Sequence, residues 1–386
     1  MASARQPIPF HRPWRSANED GYVAAALRLA RRQGGGNFTK KSQQLLSEAF
    51  DGKPVLLTQS CTAALEFAAL LLGIGEGDEV ILPSYTFTST ATAFAIRGAR
   101  LVFVDIDPKT QNIDPRWIEP AITARTRAIA VMHYGGVACD MPALEAIAAK
   151  HAIAIVEDAA QAIGARAPDG RALGTIGAAG ALSFHDTKNV SSGEGGALIL
   201  GDAGLIERAE VMWEKGTDRS KFLRGQIDKY TWVDIGSSFL PSEITAALLQ
   251  AQLEDVSTIN AQRLSIWGQY HDAFADLERK GFLARPVVPD GAVHNGHLYY
   301  LVLDSLERRD AFMAHMRAQG VETTFHYVPL HSSKAGIRFG RIGSPMTNSE
   351  RAGDGLVRLP LWPGLSRDDV ADVVGAARTF FVTNAR

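Results

Sequence analysis

Cysteine is almost absent from this sequence: Cys61 and Cys139 are its only two. They form no CxxC pair and have no metal-type spacing, which excludes a disulfide framework and fits a reducing compartment. Neither sign of charge prevails. With 40 Lys and Arg against 42 Asp and Glu, the formal charge is -2, so no global field draws the chain to nucleic acid or to a membrane surface. Long apolar runs are missing too. The most apolar stretch, residues 63–74, carries Glu66 and falls well short of the roughly 18 to 20 residues that a span needs. The opening MASARQPIPFHRPW lacks the apolar core of a secretory signal. These absences together predict a cytoplasmic protein with no nucleic-acid or membrane partner. Three ligand signatures are also absent. GGG at 34–36 is not followed by GK[ST], no GxGxxG joins a strand to a helix, and none of the ten histidines belongs to HExxH. No metal is expected.

What is present reads as a large domain with a smaller one behind it. The 46% hydrophobic and 21% charged content is that of an ordinary globular protein. EVILP (79–83), LVFVD (101–105), RAIAVMHY (127–134), IAIVED (153–158), GALSFH (180–185) and GGALIL (195–200) read as buried strands. Helical patterns at 62–72, 88–96 and 141–150 lie between them. This alternation predicts an α/β fold with a mostly parallel sheet. After about residue 250 the pattern changes. A helical stretch at 242–280 leads to HLYYLVLD, a helix at 307–319, the strand-like VETTFHY and a closing helix at 367–382. The expected division is 1–250, a large domain with its N-terminal segment, and 251–386, a small α+β domain.

Four segments could carry chemistry. In SFHDTKNVSSGEGGALIL (183–200), Lys188 lies just beyond a strand, in a polar loop followed by glycines. A lysine partly desolvated there can present a free amine to an aldehyde; a surface lysine in a loop is the plainer reading. In IAIVEDAAQAIGA (153–165), the strand ends at Glu157 and Asp158, with Gln161 three residues on. Ligands of open α/β sheets bind beyond such strand ends, and an Asp there suits a pyridinium nitrogen. Asp158 could equally cap an Ala-rich helix. In TQSCTAALEFAALLL (58–72), Ser60, Cys61 and Thr62 open an apolar helix whose free N–H groups could bind an anion, or Ser60 could simply cap it. In LPSYTFTST (82–90), Tyr85 or Phe87 could stack on a flat ring or pack in the core. His326 and His331, in FHYVPLH, straddle a proline and could face a site.

Taken in order, these segments resemble the sugar-nucleotide aminotransferases of the DegT/StrS group, of aspartate-aminotransferase fold type I. The resemblance runs from IPF near the N-terminus to LPLWPGLS near the C-terminus. It is closest to the dTDP-4-amino-4,6-dideoxygalactose transaminase branch, through SCTAALE, PSYTFTSTA, HYGGVACDM, VEDAAQ, GRALGTIG, FHDTKN…GEGGA, EKGTDRSKFLRGQIDKYTW and FHYVPLH. It implies a PLP-dependent (pyridoxal 5'-phosphate) enzyme in which Lys188 forms the Schiff base and shuttles the proton. Asp158 would pair with the pyridine nitrogen, Gln161 would lie near the ring hydroxyl, and Phe87 would stack on the ring. Cys61, Thr62 and Ser183 would hold the phosphate.

One departure stands out. Many family members have a GYN motif whose Asn reaches the phosphate of the partner subunit's cofactor, whereas this chain reads GSSFLPSE and has Ser238 at that place. A hydroxyl can still donate there. The resemblance implies a homodimer with shared active sites, the loop 34–38 lining the neighbour's pocket. It implies L-glutamate as amino donor and dTDP-4-keto-6-deoxyglucose as the keto-sugar. Lys215, Arg219, Arg224 and Tyr230 fall in the segment shared with the close branch and, with His326 and His331, are the candidate substrate contacts; a solvated basic helix end is the competing reading for the cations. Rival functions are a 3-keto-sugar aminotransferase and a non-catalytic PLP-binding regulatory protein. The dehydratases of the same fold have His where this chain has Lys188.

Overall fold

The computed structural model describes residues 6–383. Residues 1–5 and 384–386, which include the start of the stretch read as lacking a leader and the outer ends of the two expected domains, lie outside the described residues. An eight-stranded sheet forms the frame. Its strands are β1 (Val55–Thr58), β2 (Glu79–Pro83), β3 (Arg100–Val104), β4 (Thr126–Met132), β5 (Ala154–Asp158), β6 (Ala179–Ser183), β7 (Gly196–Leu200) and, after a small-sheet strand β8 (Tyr299–Val302), β9 (Gly340–Ile342). The spatial order is β1-β7-β6-β5-β4-β2-β3-β9. β7 runs against both its neighbours, and every other pairing is parallel. The carboxyl ends of β1, β2, β4, β5 and β6 therefore meet along one edge. Both faces are covered, so β1, β2 and β7 are buried at every residue, which accounts for their unbroken apolar runs.

Helices Cys61–Leu71 and Thr88–Ala95 cover one face through Leu65, Phe67 and Phe94. Elsewhere helix Met141–His151 packs with Met141 and Leu144, and helices Asn37–Ala49 and Glu243–Glu254 with Leu46 and Leu249. A second core surrounds the antiparallel pair of β8 and β10 (Leu356–Leu359). It is built on Tyr270, Phe312 and Phe381, from helices Val256–Ala273, Leu306–Ala318 and Arg367–Thr383. Ile8 joins this core and bridges Val321. Among the described residues no helix is long and apolar enough to cross a membrane.

The helical stretch at 242–280 consists of three helices, Glu243–Glu254, Val256–Ala273 and Ala275–Arg279, interrupted at Asp255 and Phe274. Two other readings need correction. VETTFHY forms no strand; it makes single bridges, Ile8 to Val321 and Thr324 to Arg358. Asp158 caps no helix, because residues 159–165 run through turns.

Candidate active site

Lys188 is presented by the connection between β6 and β7. Phe184 N–H bonds the Gly195 carbonyl at 2.9 Å, and Asp186 N–H bonds that of Gly193 at 3.0 Å, so the loop returns tightly from one strand into the next. Beside it, Ser60 caps helix Cys61–Leu71, its Oγ accepting from Ala63 N–H at 3.1 Å. The capping reading is thus right for Ser60. It leaves the first-turn N–H groups of Cys61 and Thr62 without intrahelical acceptors, at the positive end of the helix. Gly196 of β7 makes this proximity possible: a Cβ there would lie 2.3 Å from the Ser60 carbonyl carbon. Thr62 Oγ1 is 2.6 Å from Ser89 Oγ.

Strand geometry separates the acidic pair at the end of β5, since successive side chains point to opposite faces. Glu157 is fully buried and accepts from the N–H groups of Gly174, Ile176 and Gly177 and from His133 Nε2. Asp158 faces the cavity, its Oδ2 accepting from Thr90 at 2.6 Å and its Oδ1 from Ala160 N–H at 3.1 Å. Gln161 is committed at both ends, its Oε1 to Gly135 N–H at 2.7 Å and its Nε2 to the Tyr327 hydroxyl at 2.8 Å. The aromatic alternative also resolves. Tyr85 is buried against Tyr134 and Tyr327, whereas Phe87 is 55% exposed and lines the cavity.

A cavity of about 530 Å³ brings these groups together: Cys61, Thr62, Phe87, Asp158, Gln161, Ser183, Lys188 and His326 all line it. Its charge is lopsided. Lys188, Arg263 and Arg358 line it with Asp158, and Glu194 stands 70% exposed. Arg263 donates to the Gly296 and His297 carbonyls, and burial pulls its guanidinium down to about 9. Arg358 donates to the Phe325 carbonyl and lies over the Phe10 ring. Burial lowers the Lys188 ammonium below its ordinary value; the Asp158 carboxylate opposes that shift and Arg358 adds to it. A lysine amine, a buried carboxylate, a helix start and an exposed ring in one cavity suit a phosphorylated, electron-withdrawing aldehyde.

The model of the DegT/DnrJ/EryC1/StrS aminotransferase family matches residues 15–378. The chain belongs to that family. The spore coat polysaccharide biosynthesis protein SpsC of Bacillus subtilis (strain 168) is 36% identical over 349 residues, 88% of this chain and 89% of SpsC. The aminotransferase TlmJ of Streptoalloteichus hindustanus superposes with a TM-score of 0.88 at 31% identity, covering 98% of this chain and 100% of TlmJ. Spr1654 of Streptococcus pneumoniae, in its PLP form, superposes with a TM-score of 0.88 at 25% identity, covering 98% of this chain and 99% of that one.

This aminotransferase has pyridoxal phosphate as its cofactor, and its residues fit that group. The Lys188 ammonium makes no side-chain hydrogen bond or ion pair among the described residues, the Cys61–Thr62 helix start lies beside it, and Asp158 is fixed before anything binds. The remaining candidates do not line this chain's own cavity. Lys215 takes a left-handed turn, its N–H on the Ser237 carbonyl. Arg219 pairs with Glu214 at 2.9 Å and Arg224 with Glu210 at 2.8 Å. Tyr230 is half-exposed beside Phe222, and the Ser238 carbonyl accepts from Gln59. His331 is buried, with its Nδ1 2.7 Å from Ser84 Oγ.

Several lining residues carry little signal in the sequence. Tyr327 adjoins His326, and Arg358 is a lone cation in the apolar LVRLPL. His297 and Arg263 carry no local signal.

Proposed function

We propose that this aminotransferase aminates the keto carbon of a nucleotide-linked 4-keto-6-deoxy sugar, dTDP-4-keto-6-deoxyglucose, with L-glutamate as amino donor. The product is a dTDP-4-amino-4,6-dideoxy sugar. The observation that carries the reading is the Lys188 amine, unpaired by any side chain among the described residues, in a cavity where Asp158 is already fixed and where Lys188, Arg263 and Arg358 outnumber the carboxylates of Asp158 and Glu194. A cationic cavity suits both an acidic amino donor and a phosphorylated sugar carrier. The sugar class follows from the end-to-end resemblance, and SpsC, named for polysaccharide biosynthesis, supports it.

Pyridoxal phosphate, when bound, supplies an aldehyde that condenses with amines and a ring that withdraws electrons from the neighbouring Cα–H bond. Cys61, Thr62 and Ser183 would hold its phosphate, and Phe87 would cover its ring. Asp158 would keep the ring nitrogen protonated, and Gln161, clamped to Gly135 and Tyr327, would lie at the ring hydroxyl. Lys188, displaced by the amino donor, is a desolvated amine; it takes the proton from the donor Cα and returns it within the cavity. Burial lowers its proton affinity, which favours the free amine that acts as that base.

In this reading 1–250 and 251–386 are the two domains, and the chain is a homodimer. Phe222, Leu223, Tyr230, Trp232, Val233 and Ile235 are all exposed within one short segment, more apolar surface than a solvated hairpin needs. A second copy would cover them and bring Ser238 and the nearby cations toward its own cavity. Both cysteines are free, in keeping with the cytoplasm. The test is incubation with dTDP-4-keto-6-deoxyglucose and L-glutamate, with NMR of the product. An amino group at C4 is expected, and a sugar left unaminated would overturn the substrate. Lys188→Ala should lose both turnover and the absorbance band of lysine-bound cofactor; an unchanged rate would sink the mechanism.

A further inference from the structure

His297 stands at the end of a chain of amides whose orientations are all set by backbone carbonyls. The Ile163 carbonyl accepts from Asn260 Nδ2 at 3.0 Å. A carbonyl only accepts, so Asn260 turns its oxygen the other way, toward Asn189. Asn189 Nδ2 donates to that oxygen at 2.8 Å and to the Asn295 carbonyl at 3.1 Å. Its own Oδ1 is thereby left 2.9 Å from His297 Nδ1. An amide oxygen cannot donate, so the hydrogen must sit on Nδ1. Asn295 braces the same loop, donating to the Gln161 and Ile163 carbonyls and accepting from His297 N–H.

The ring carries only that one proton. His297 is 8% exposed, and burial, followed by the Lys188, Arg263, Arg358 and His11 charges, holds it well below its ordinary value. Nε2 is then a bare lone pair. It has no hydrogen-bond partner among the described residues and is not one of the sealed, unpartnered polar atoms of the interior; His297 lines the cavity together with Lys188. Two other acceptors facing the cavity are already occupied. Asp158 accepts from Thr90 and Ala160, and Gln161 Oε1 accepts from Gly135.

We propose that His297 is a hydrogen-bond acceptor for substrate, locked as its Nδ1–H tautomer by Asn189, with Nε2 receiving an N–H or O–H of the bound substrate beside Lys188. The two sources of that hydrogen are the ammonium of the amino donor and a hydroxyl of the sugar. The assignment rests on the transaminase reading above.

His297→Asn separates the two ends of the ring: its amide N–H can still serve Asn189, while the acceptor at Nε2 is gone. The two half-reactions are followed separately by stopped-flow absorbance, L-glutamate with the PLP form and dTDP-4-keto-6-deoxyglucose with the PMP form. The variant should raise the half-saturating concentration of one of them about tenfold, as expected for one lost hydrogen bond, with the limiting rate little changed. Whichever half-reaction responds names the source. His297→Gln, which puts an amide oxygen near the Nε2 position, should recover part of the loss. Half-saturation unchanged in both half-reactions would overturn the proposal. Long-range ¹H–¹⁵N NMR of histidine-labelled protein, with the His297 signals assigned by their loss in His297→Asn, should show the proton on Nδ1 across the neutral range; a proton on Nε2 would also overturn it. Wild-type protein that turns over neither compound sinks the transaminase reading and the substrate role with it, while the NMR result still decides the tautomer.

Discussion

Thr90 Oγ1 lies 2.6 Å from Asp158 Oδ2, and that bond runs one way. A carboxylate only accepts, so the hydroxyl gives its single hydrogen to Asp158, and Thr86, 2.9 Å away, must donate to Thr90 in turn. All three residues are buried. Thr90→Val removes the donor while nearly keeping the shape. A hydrogen bond to a charged group contributes about 1.5–3 kcal/mol, so the cofactor-free variant should be destabilised by that order in urea unfolding. Cofactor affinity should fall as well, because Asp158 is no longer held for the ring nitrogen. Equal unfolding midpoints and equal affinities would show that Thr90 does not fix the carboxylate.

Thr90 shows where reading along the chain stops. The apolar runs of β2, β3 and β5 were visible because a doubly covered sheet buries whole strands. Lys188 stood out because strands flank it on both sides. β1 is four residues long and β9 three, too short for a pattern, and β9 is a sheet edge. The Ala-rich segment after Asp158 looked helical, yet Gln161 is drawn to Gly135 and Tyr327, and Asn295 takes its carbonyl. Those contacts reach across 26, 166 and 134 positions, and no local pattern reports them. Asn189 and His297 meet in the same way, 108 positions apart.

The neighbours Glu157 and Asp158 should fail differently. Glu157 satisfies three backbone N–H groups and the His133 ring, whose Nδ1 accepts from Cys139 N–H and whose Nε2 therefore donates. Glu157→Gln turns an NH₂ toward donors in a dry interior, at a cost of about 3 kcal/mol. Its melting temperature should drop while the folded fraction keeps the lysine-bound cofactor band. Asp158→Asn turns its NH₂ toward one donor where Glu157→Gln faces several, so it should melt less far below wild type but lose turnover by orders of magnitude. The opposite pattern in calorimetry and in half-reaction rates would mean the two roles are exchanged.

Glu243 should anchor the loop 34–38. Its fully buried carboxylate accepts from the N–H groups of Gly36, Phe38 and Thr39 and from the Thr39 hydroxyl, closing the start of helix Asn37–Ala49. A Cβ on Gly36 would lie 2.5 Å from Glu243 Oε2. Both Glu243→Ala and Gly36→Ala should therefore speed hydrogen exchange at residues 36–39, the first more strongly. Protection equal to wild type in both variants would leave the loop held by something else.

Lys188 should make the cofactor-free protein less stable than it could be, by an amount that depends on pH. Burial lowers its folded pKa below the ordinary 10.5, with Asp158 opposing and Arg358 reinforcing the shift. Between the lowered value and 10.5 the unfolded chain holds more protons at this site than the folded one, so stability rises with pH across that window. Below the window the ammonium is present in both states, and the full cost of burying it is felt. Lys188→Met keeps the unbranched length without the charge, so the cofactor-free variant should be the more stable protein at neutral and acidic pH. Its advantage should shrink as the pH climbs toward 10.5 and vanish above it. With pyridoxal phosphate bound the order should reverse, since only the lysine protein gains the covalent link and its binding free energy. Urea midpoints of both proteins, with and without cofactor across this pH range, carry the test. A difference that does not vary with pH would assign the effect to packing and not to the buried charge.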